Sequence, residues 1–227
     1  MVEITLLRMK NLKFLLDADD VLLKTGDEKI RWLRGNLTED DVVDKSRTLE
    51  SILPYDCSRT ALVPIIGHEN YERMTVYVYS ADGTTSTKPL DGALDSIKEL
   101  AEMGRIYVVS ARKPEQIQNT RNWLQANGFD PYIERAFSEK EPECIDIPVI
   151  SGSKKVGIAK HLGAQMLVDD DERHMPKEPV EGVDCLLFGP GDREKIIASS
   201  HHVIIAPNWN DVVRYTRKYA TGTNQII

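Results

Sequence analysis

The sequence predicts an α/β protein with a Rossmann-like, three-layer core around a parallel sheet and a small inserted subdomain. From about Leu12 onward, short apolar runs alternate with amphipathic segments, which is the order of strands and crossover helices in a parallel sheet. The apolar runs are almost continuously hydrophobic, so helices are expected on both faces of the sheet. A segment between about Lys24 and Thr87 breaks the alternation, and it predicts the insertion.

Five strands and four helices follow from this pattern. The predicted strands are Lys13–Leu16, Ile106–Val109, Met166–Val168, Cys185–Phe188 and His202–Ile205. The predicted helices are Gly92–Met103, Glu115–Asn127, Lys155–Leu162 and Asn210–Tyr219. Asn127-Gly128 and Gly163 are typical signals for the end of a helix, and they support two of these boundaries.

The interrupting segment predicts a subdomain of its own. Helical patterns cover Asp27–Arg34 and Ser46–Leu53, and an extended, β-rich piece covers Met74–Tyr79. We therefore expect residues 25–87 to form the inserted subdomain and residues 10–24 and 88–227 to form the core.

Composition excludes several classes of protein. The chain of 227 residues has 29 Lys and Arg against 36 Asp and Glu, a net charge of −7, which argues against general nucleic-acid binding. Cys57, Cys144 and Cys185 are widely spaced and form no C-x-x-C pair, so neither a disulfide framework nor a thiolate zinc site is expected. Since no membrane span or signal peptide is evident, we expect a cytoplasmic protein without a membrane partner.

Two carboxylates follow the first predicted strand. Asp17 and Asp19 are two positions apart, and such residues point the same way from a strand. They should therefore leave the carboxyl edge of the sheet together, where α/β proteins bind ligands. They would repel each other unless a cation lay between them. Taken alone, this pair could equally be a turn and a helix cap.

Other polar groups follow two further strands and open one helix. Ser110-Ala111-Arg112 comes after the second predicted strand, and Asp169-Asp170-Asp171 comes after the third. Lys154 and Lys155 lie in the first turn of a predicted helix, where a cation is opposed by the helix dipole and so suggests a nearby anion. Separately, each could be a helix cap, a solvated turn or a surface charge; together they indicate a site.

The four segments LDADDVL, VVSAR, SKKVGIAKHLGA and MLVDDDE resemble, in order, the four motifs of the haloacid dehalogenase (HAD) superfamily of phosphohydrolases. The resemblance implies that Asp17 is the nucleophile and Asp19 the general acid/base. It further implies that phosphate is bound by Ser110, Ala111 and Lys155, with Lys154 as the alternative lysine, and that Mg²⁺ is held by Asp17, Asp19, Asp169 and Asp170. One departure is Asp20, which stands where many relatives have glycine.

This resemblance implies an Mg²⁺-dependent phosphomonoester hydrolase that acts through an aspartyl-phosphate on a small-molecule phosphate ester. The motif spellings look most like the 5′(3′)-deoxyribonucleotidase branch, so a nucleoside monophosphate is the first substrate expected. A sugar phosphatase and a catalytically idle binding module remain the alternatives. The insertion lies where the superfamily has a cap that selects the leaving group. The candidate selecting residues, each with an alternative as surface charge or cap core, are Arg31, Trp32, Arg34, Lys45, Arg47 and His68.

Overall fold

The core is one parallel sheet of six strands, in the order β3-β2-β1-β4-β5-β6. The structure, a computed structural model, describes residues 11–54, 57–189 and 202–222. The strands are β1 Leu12–Asp17, β2 Gly104–Ser110, β3 Ile133–Ser138, β4 Met166–Asp169, β5 Asp184–Phe188 and β6 Val203–Ala206. The predicted α/β class is therefore confirmed, with helices on both faces of the sheet.

Strand β1 lies at the centre of the sheet and sets the position of the site. It pairs with β2, with Asp17 beside Val109, and with β4, with Leu16 beside Val168. The strand order reverses around β1, and ligands bind α/β sheets at such a switch point. Residues 17, 110 and 169 thus end three neighbouring strands at one edge.

Alternation along β1 divides the core into two hydrophobic clusters. Phe14 and Leu16 pack into the cluster beneath the helices around Ile97 and Trp209, whereas Leu15 packs into the opposite cluster with Val156. Because successive side chains of a strand point to opposite faces, a strand buried on both faces must be apolar throughout. This accounts for the continuous hydrophobic runs.

The helices are α1 Thr25–Asn36, α2 Arg59–Val78, α3 Ala81–Ser86, α4 Ala93–Met103, α5 Ile117–Ala126, α6 Pro142–Ile145, α7 Lys154–Leu162 and α8 Trp209–Thr221.

The described residues of the inserted segment form helices, 3-10 turns and irregular loops but no strand, which differs from the prediction. Met74–Tyr79, expected to be β-rich, is the end of α2 and its C-cap. Met74 and Val78 are buried there while Val76 is exposed, which is a helical spacing that the tyrosines and β-branched residues obscure. The predicted helix Ser46–Leu53 is also wrong, since only the single 3-10 turn Leu49–Ser51 forms.

The inserted segment has its own hydrophobic cluster, which includes Leu33, Leu62 and Met74. Its boundary with the core at residues 24/25 and 87/88 stays a prediction. Of the predicted core, residues 10, 190–201 and 223–227 lie outside the described residues.

Strand β3 was not predicted, and its position explains why. Its first three residues, from Ile133 to Arg135, are exposed or half-buried, and only the last three are buried. An edge strand of this kind has no continuous apolar run.

None of the helices in the described ranges is long and apolar enough to cross a bilayer.

Candidate active site

Three carboxylates meet at the carboxyl edge of the sheet. Asp17 ends β1, Asp169 ends β4, and Asp170 follows it. Each offers one oxygen to a group whose atoms all lie within 4.8 Å of one another. The structure therefore brings together Asp17, Asp169 and Asp170 from the four residues predicted to hold a metal.

A buried ammonium lies against two of these carboxylates. Lys155 is fully buried, and its Nζ is 2.8 Å from Asp17 Oδ1 and 2.6 Å from Asp169 Oδ2. Ser153 positions this lysine because its Oγ accepts the Val156 N–H and caps α7. By contrast, the Nζ of Lys154 donates to the backbone carbonyls of Ile145, the last residue of α6, and Ile147. Of the two candidate lysines, Lys155 is the one at the carboxylates.

The carboxylates of this group differ in their electrostatic state. Burial raises the pKa of Asp17 to about 7, although the Lys155 charge opposes this shift. Burial, followed by the charges of neighbouring aspartates, raises the pKa of Asp170 well above its ordinary value. For Asp169 burial acts in the same direction, but Lys155 and His174 outweigh it and lower the pKa. The positive charge near Asp17 and Asp170 is thus too small to offset the effect of burial on their pKa values.

Asp19 lies outside this group because a different cation holds it. Arg112 Nη2 donates to its Oδ1 at 2.7 Å and Arg112 Nε to its Oδ2 at 3.1 Å. Thr25 Oγ1 also donates to Oδ1 at 2.7 Å. Burial opposes ionisation of Asp19, but these contacts overcome it and lower the pKa to about 2. The side chain of Asp19 is one half of a separate ion pair, and its predicted role as a metal ligand stays a prediction.

Ser110 is the last residue of β2, and Ala111 begins the loop that follows. Ser110 is fully buried; its Oγ accepts the Arg112 N–H and donates to Asp19 Oδ2 at 3.4 Å. The Ala111 carbonyl accepts a hydrogen bond from Lys140 Nζ at 2.6 Å. Their predicted phosphate-binding role stays a prediction.

Sequence reasoning missed four side chains that complete the site. Arg112 appears in the VVSAR segment without a role, although an arginine at the end of an apolar strand must find a partner when buried. His174 Nδ1 lies 3.1 Å from both oxygens of Asp169. Buried Lys29 of α1 donates to a backbone carbonyl of the inserted segment, and nearby acidic groups that include Asp20 and Asp19 raise its pKa against the effect of burial. Neither Lys29 nor Thr25 gives a sequence signal, because their contacts depend on the turn after β1.

The turn after β1 explains the departure at Asp20. This residue has a φ of 54°, in the left-handed region that glycine adopts without strain. Its side chain compensates in part, since Asp20 Oδ1 accepts the Gly26 N–H at 2.7 Å. Burial raises the pKa of Asp20 to about 6. The aspartate therefore ties the turn to the start of α1, at the cost of backbone strain.

Several candidate leaving-group residues have structural roles of their own. Trp32 is buried in the cluster of the inserted segment, and Arg31 pairs with the Glu28 carboxylate. Lys45 donates to two backbone carbonyls of the 3-10 turn Glu39–Asp41. His68 lies beside an arginine of its own helix. Arg34 and Arg47 are exposed, and their roles stay predictions.

The fold is similar to those of solved HAD-superfamily hydrolases. A haloacid dehalogenase-like hydrolase from Streptococcus pneumoniae matches with a TM-score of 0.54 and 12% identity over 90% of this chain and 98% of its own. A HAD-hydrolase from Bacillus subtilis, solved with bound magnesium, matches with a TM-score of 0.54 and 14% identity over 92% of this chain and 99% of its own. L-2-haloacid dehalogenase from Xanthobacter autotrophicus matches with a TM-score of 0.53 and 13% identity over 91% of this chain and 98% of its own.

No family model and no curated protein matches the chain. The likeness to solved structures therefore establishes the fold, which is that of HAD-superfamily hydrolases. Placement in the 5′(3′)-deoxyribonucleotidase branch stays a prediction.

Proposed function

We propose that this chain is an Mg²⁺-dependent phosphomonoester hydrolase with Asp17 as its nucleophile. The observation that carries the proposal is the group formed by Asp17, Asp169 and Asp170 at the sheet edge, with oxygens within 4.8 Å and the Lys155 ammonium against two of them. A nucleophile, a cation and a set of further carboxylates at one strand edge are the parts that transfer of a phosphoryl group requires.

The donor set fits Mg²⁺. All three groups offer carboxylate oxygens, the ligands that Mg²⁺ prefers over the nitrogen and sulfur ligands typical of zinc. The raised pKa values of Asp17 and Asp170 indicate carboxylates in need of positive charge. Bound Mg²⁺ would supply charge that offsets the repulsion between an anionic nucleophile and an anionic ester.

The side chains of this chain would then divide the reaction between them. An oxygen of Asp17 attacks phosphorus, the bond to the leaving oxygen breaks, and an aspartyl-phosphate forms. Lys155 holds Asp17 in place from the side and stabilises charge on the transferring group. In the second step Asp19, ionised beside Arg112, accepts a proton from the water that attacks the aspartyl-phosphate.

Asp19 also has to protonate the leaving oxygen in the first step. Its low pKa means that the free protein holds it as a carboxylate, so the proton must arrive with the substrate. A phosphate monoester with a second pKa of about 6 carries that proton in its monoanion. We therefore expect faster hydrolysis of monoanionic esters, or of esters whose leaving group needs no proton.

For the leaving group, we propose a nucleoside monophosphate, which rests on the motif spellings of the sequence. A sugar phosphate is the alternative substrate, and a nucleotide-binding module without activity is the alternative function. Asp17, Asp170 and Lys155 count against the inactive alternative, because a binding module has no need of a buried nucleophile beside a cation.

A panel of esters tests the proposal. Purified protein with Mg²⁺ is assayed for phosphate release from an aryl phosphate, nucleoside 5′- and 3′-monophosphates and sugar phosphates, and for chloride release from a 2-chloroacid. We expect phosphate release that Asp17→Asn abolishes and that Asp95→Asn, a change on the exposed face of α4, leaves unchanged. Acid-quenched protein should be heavier by one phosphoryl group.

Two results would contradict the proposal. One is the absence of phosphate release from every ester in the panel. The other is an Asp17→Asn variant as active as the parent. Chloride release without phosphate release would instead indicate a dehalogenase.

A further inference from the structure

Arg112 is the most heavily engaged charged side chain at the sheet edge that the reaction scheme does not use directly. It is 2% exposed, and two of its nitrogens donate to the two oxygens of Asp19 at 2.7 and 3.1 Å. Its third nitrogen, Nη1, donates to Thr84 Oγ1 at 2.9 Å. The guanidinium also stacks over the Tyr79 ring, 4.7 Å from its centroid.

These contacts join the core to the inserted segment. Arg112 follows β2, whereas Tyr79 is the C-cap of α2 and Thr84 lies in α3. A guanidinium is planar and rigid, so a two-pronged contact fixes the plane of the carboxylate that it meets. The orientation of Asp19 is therefore set by a group that is itself clamped by the inserted segment.

We propose that Arg112 is a positioning residue for the proton transfers of Asp19, and that Tyr79 and Thr84 hold it in place from the inserted segment. This inference rests on the proposed hydrolase function. If Arg112 only had to supply positive charge, any cation near Asp19 would serve. The two-pronged contact, the ring stacking and the hydroxyl contact instead restrict the guanidinium to one orientation.

The second step of the reaction depends most on this orientation. The water oxygen attacks phosphorus, the bond between phosphorus and the Asp17 oxygen breaks, and its electron pair returns to the Asp17 carboxylate. The water proton goes to Asp19. A rotated Asp19 slows this step, whereas attack of Asp17 on an ester with a good leaving group does not require a proton from Asp19.

Kinetics with 4-nitrophenyl phosphate separate these two steps. The ratio kcat/KM reports events up to formation of the aspartyl-phosphate, and kcat includes its hydrolysis. Arg112→Lys keeps the charge but loses the two-pronged contact. We expect its kcat to fall about tenfold or more, but by less than the roughly 10²–10⁴-fold that an acid/base group contributes as a whole. We expect kcat/KM to change by less than about threefold, and a burst of one nitrophenol per protein to appear.

A second variant and a control variant distinguish loss of the Arg112 contacts from a general loss of folded structure. Thr84→Val leaves the Arg112 contact with Asp19 in place and removes the hydroxyl that anchors Arg112, together with its long hydrogen bond to the Val78 carbonyl. It should therefore lower kcat in the same selective way but less. Arg121→Met removes a half-exposed arginine that pairs with Glu141 and the Ala136 carbonyl and, within the described part of the chain, makes no hydrogen bond or ion pair with Asp19, and both kinetic parameters should stay at the parent values. Each variant should unfold cooperatively in urea.

An ester with a poor leaving group extends the test. With methyl phosphate the first step also needs the proton from Asp19, so kcat/KM of Arg112→Lys should now fall as much as kcat does. Equal losses of kcat and kcat/KM on 4-nitrophenyl phosphate, or no loss of kcat, would overturn the positioning role while leaving the hydrolase function intact. A parent protein that hydrolyses neither ester would overturn both.

Discussion

Replacing Lys155 by methionine removes the charge that lies between two strand ends. The Lys155 ammonium is fully buried, 2.8 Å from Asp17 and 2.6 Å from Asp169. A hydrogen bond to a charged group contributes about 1.5–3 kcal/mol, and truncating one partner of a buried ion pair costs about 3–5 kcal/mol. Asp17, with a pKa of about 7, can take up a proton in the variant and recover part of this loss. We therefore expect Lys155→Met to lower the free energy of unfolding by about 3 kcal/mol.

Urea unfolding of the metal-free protein at neutral pH measures this loss by linear extrapolation. Lys160→Met is the matched control, since Lys160 lies on the same helix, is exposed and donates only to a backbone carbonyl in the described contacts. It should cost less than about 0.5 kcal/mol, as exposed substitutions usually do. A loss below about 1 kcal/mol for Lys155→Met, or one equal to that of the control, would refute the reasoning.

Three further predictions concern the metal, the turn and the thiols. Mg²⁺ at about 100 times its dissociation constant should stabilise the protein by about 2.7 kcal/mol, and thermal unfolding of Asp170→Asn should show a much smaller gain; an equal gain would place the ion elsewhere. Asp20→Gly should be about 1 kcal/mol more stable in urea than Asp20→Ala, because both lose the side-chain contact but only alanine keeps the strain of a positive φ; equal stabilities would contradict this. Burial raises the pKa of Cys185 to about 12, so native protein at pH 8 should be alkylated there at least tenfold more slowly than unfolded protein, measured by peptide mass spectrometry.

The core was predictable because its signal is local. A strand buried on both faces must be apolar throughout, and this holds for β1, whose Leu15 and Leu16 are fully buried on opposite faces. The edge strand β3 lacks this signal, and so escaped prediction. The helix α2 was misread because Tyr77 and Val76 favour strands locally, while the burial of Met74 and Val78 against the inserted segment decides its conformation.

The site was predictable in part for the same reason. The positions of Asp17, Lys155 and Asp169 follow from where strands end and a helix begins, so sequence order was enough to predict that they meet. The separation of Asp19 from them was not predictable. It depends on Arg112, whose guanidinium reaches back to β1 from the loop after β2, a contact set by side-chain direction and not by sequence spacing.

The charge balance of the sheet edge gives a separate argument about the metal. Its buried or half-buried ionisable groups include the carboxylates of Asp17, Asp19, Asp20, Asp169 and Asp170 and the cations of Lys29, Arg112 and Lys155. Asp169 raises the pKa of half-buried His174 against the effect of burial, so the imidazole adds positive charge as it takes up a proton. The carboxylates still outnumber the cationic groups. Unpaired charge away from water is costly, and such groups respond with raised pKa values, as Asp17, Asp20 and Asp170 do. Protons on these three carboxylates, or a bound cation beside them, would offset the excess of acidic groups. The charge balance therefore fits a bound cation at the group formed by Asp17, Asp169 and Asp170, and the stabilisation by Mg²⁺ predicted above tests which ion it is.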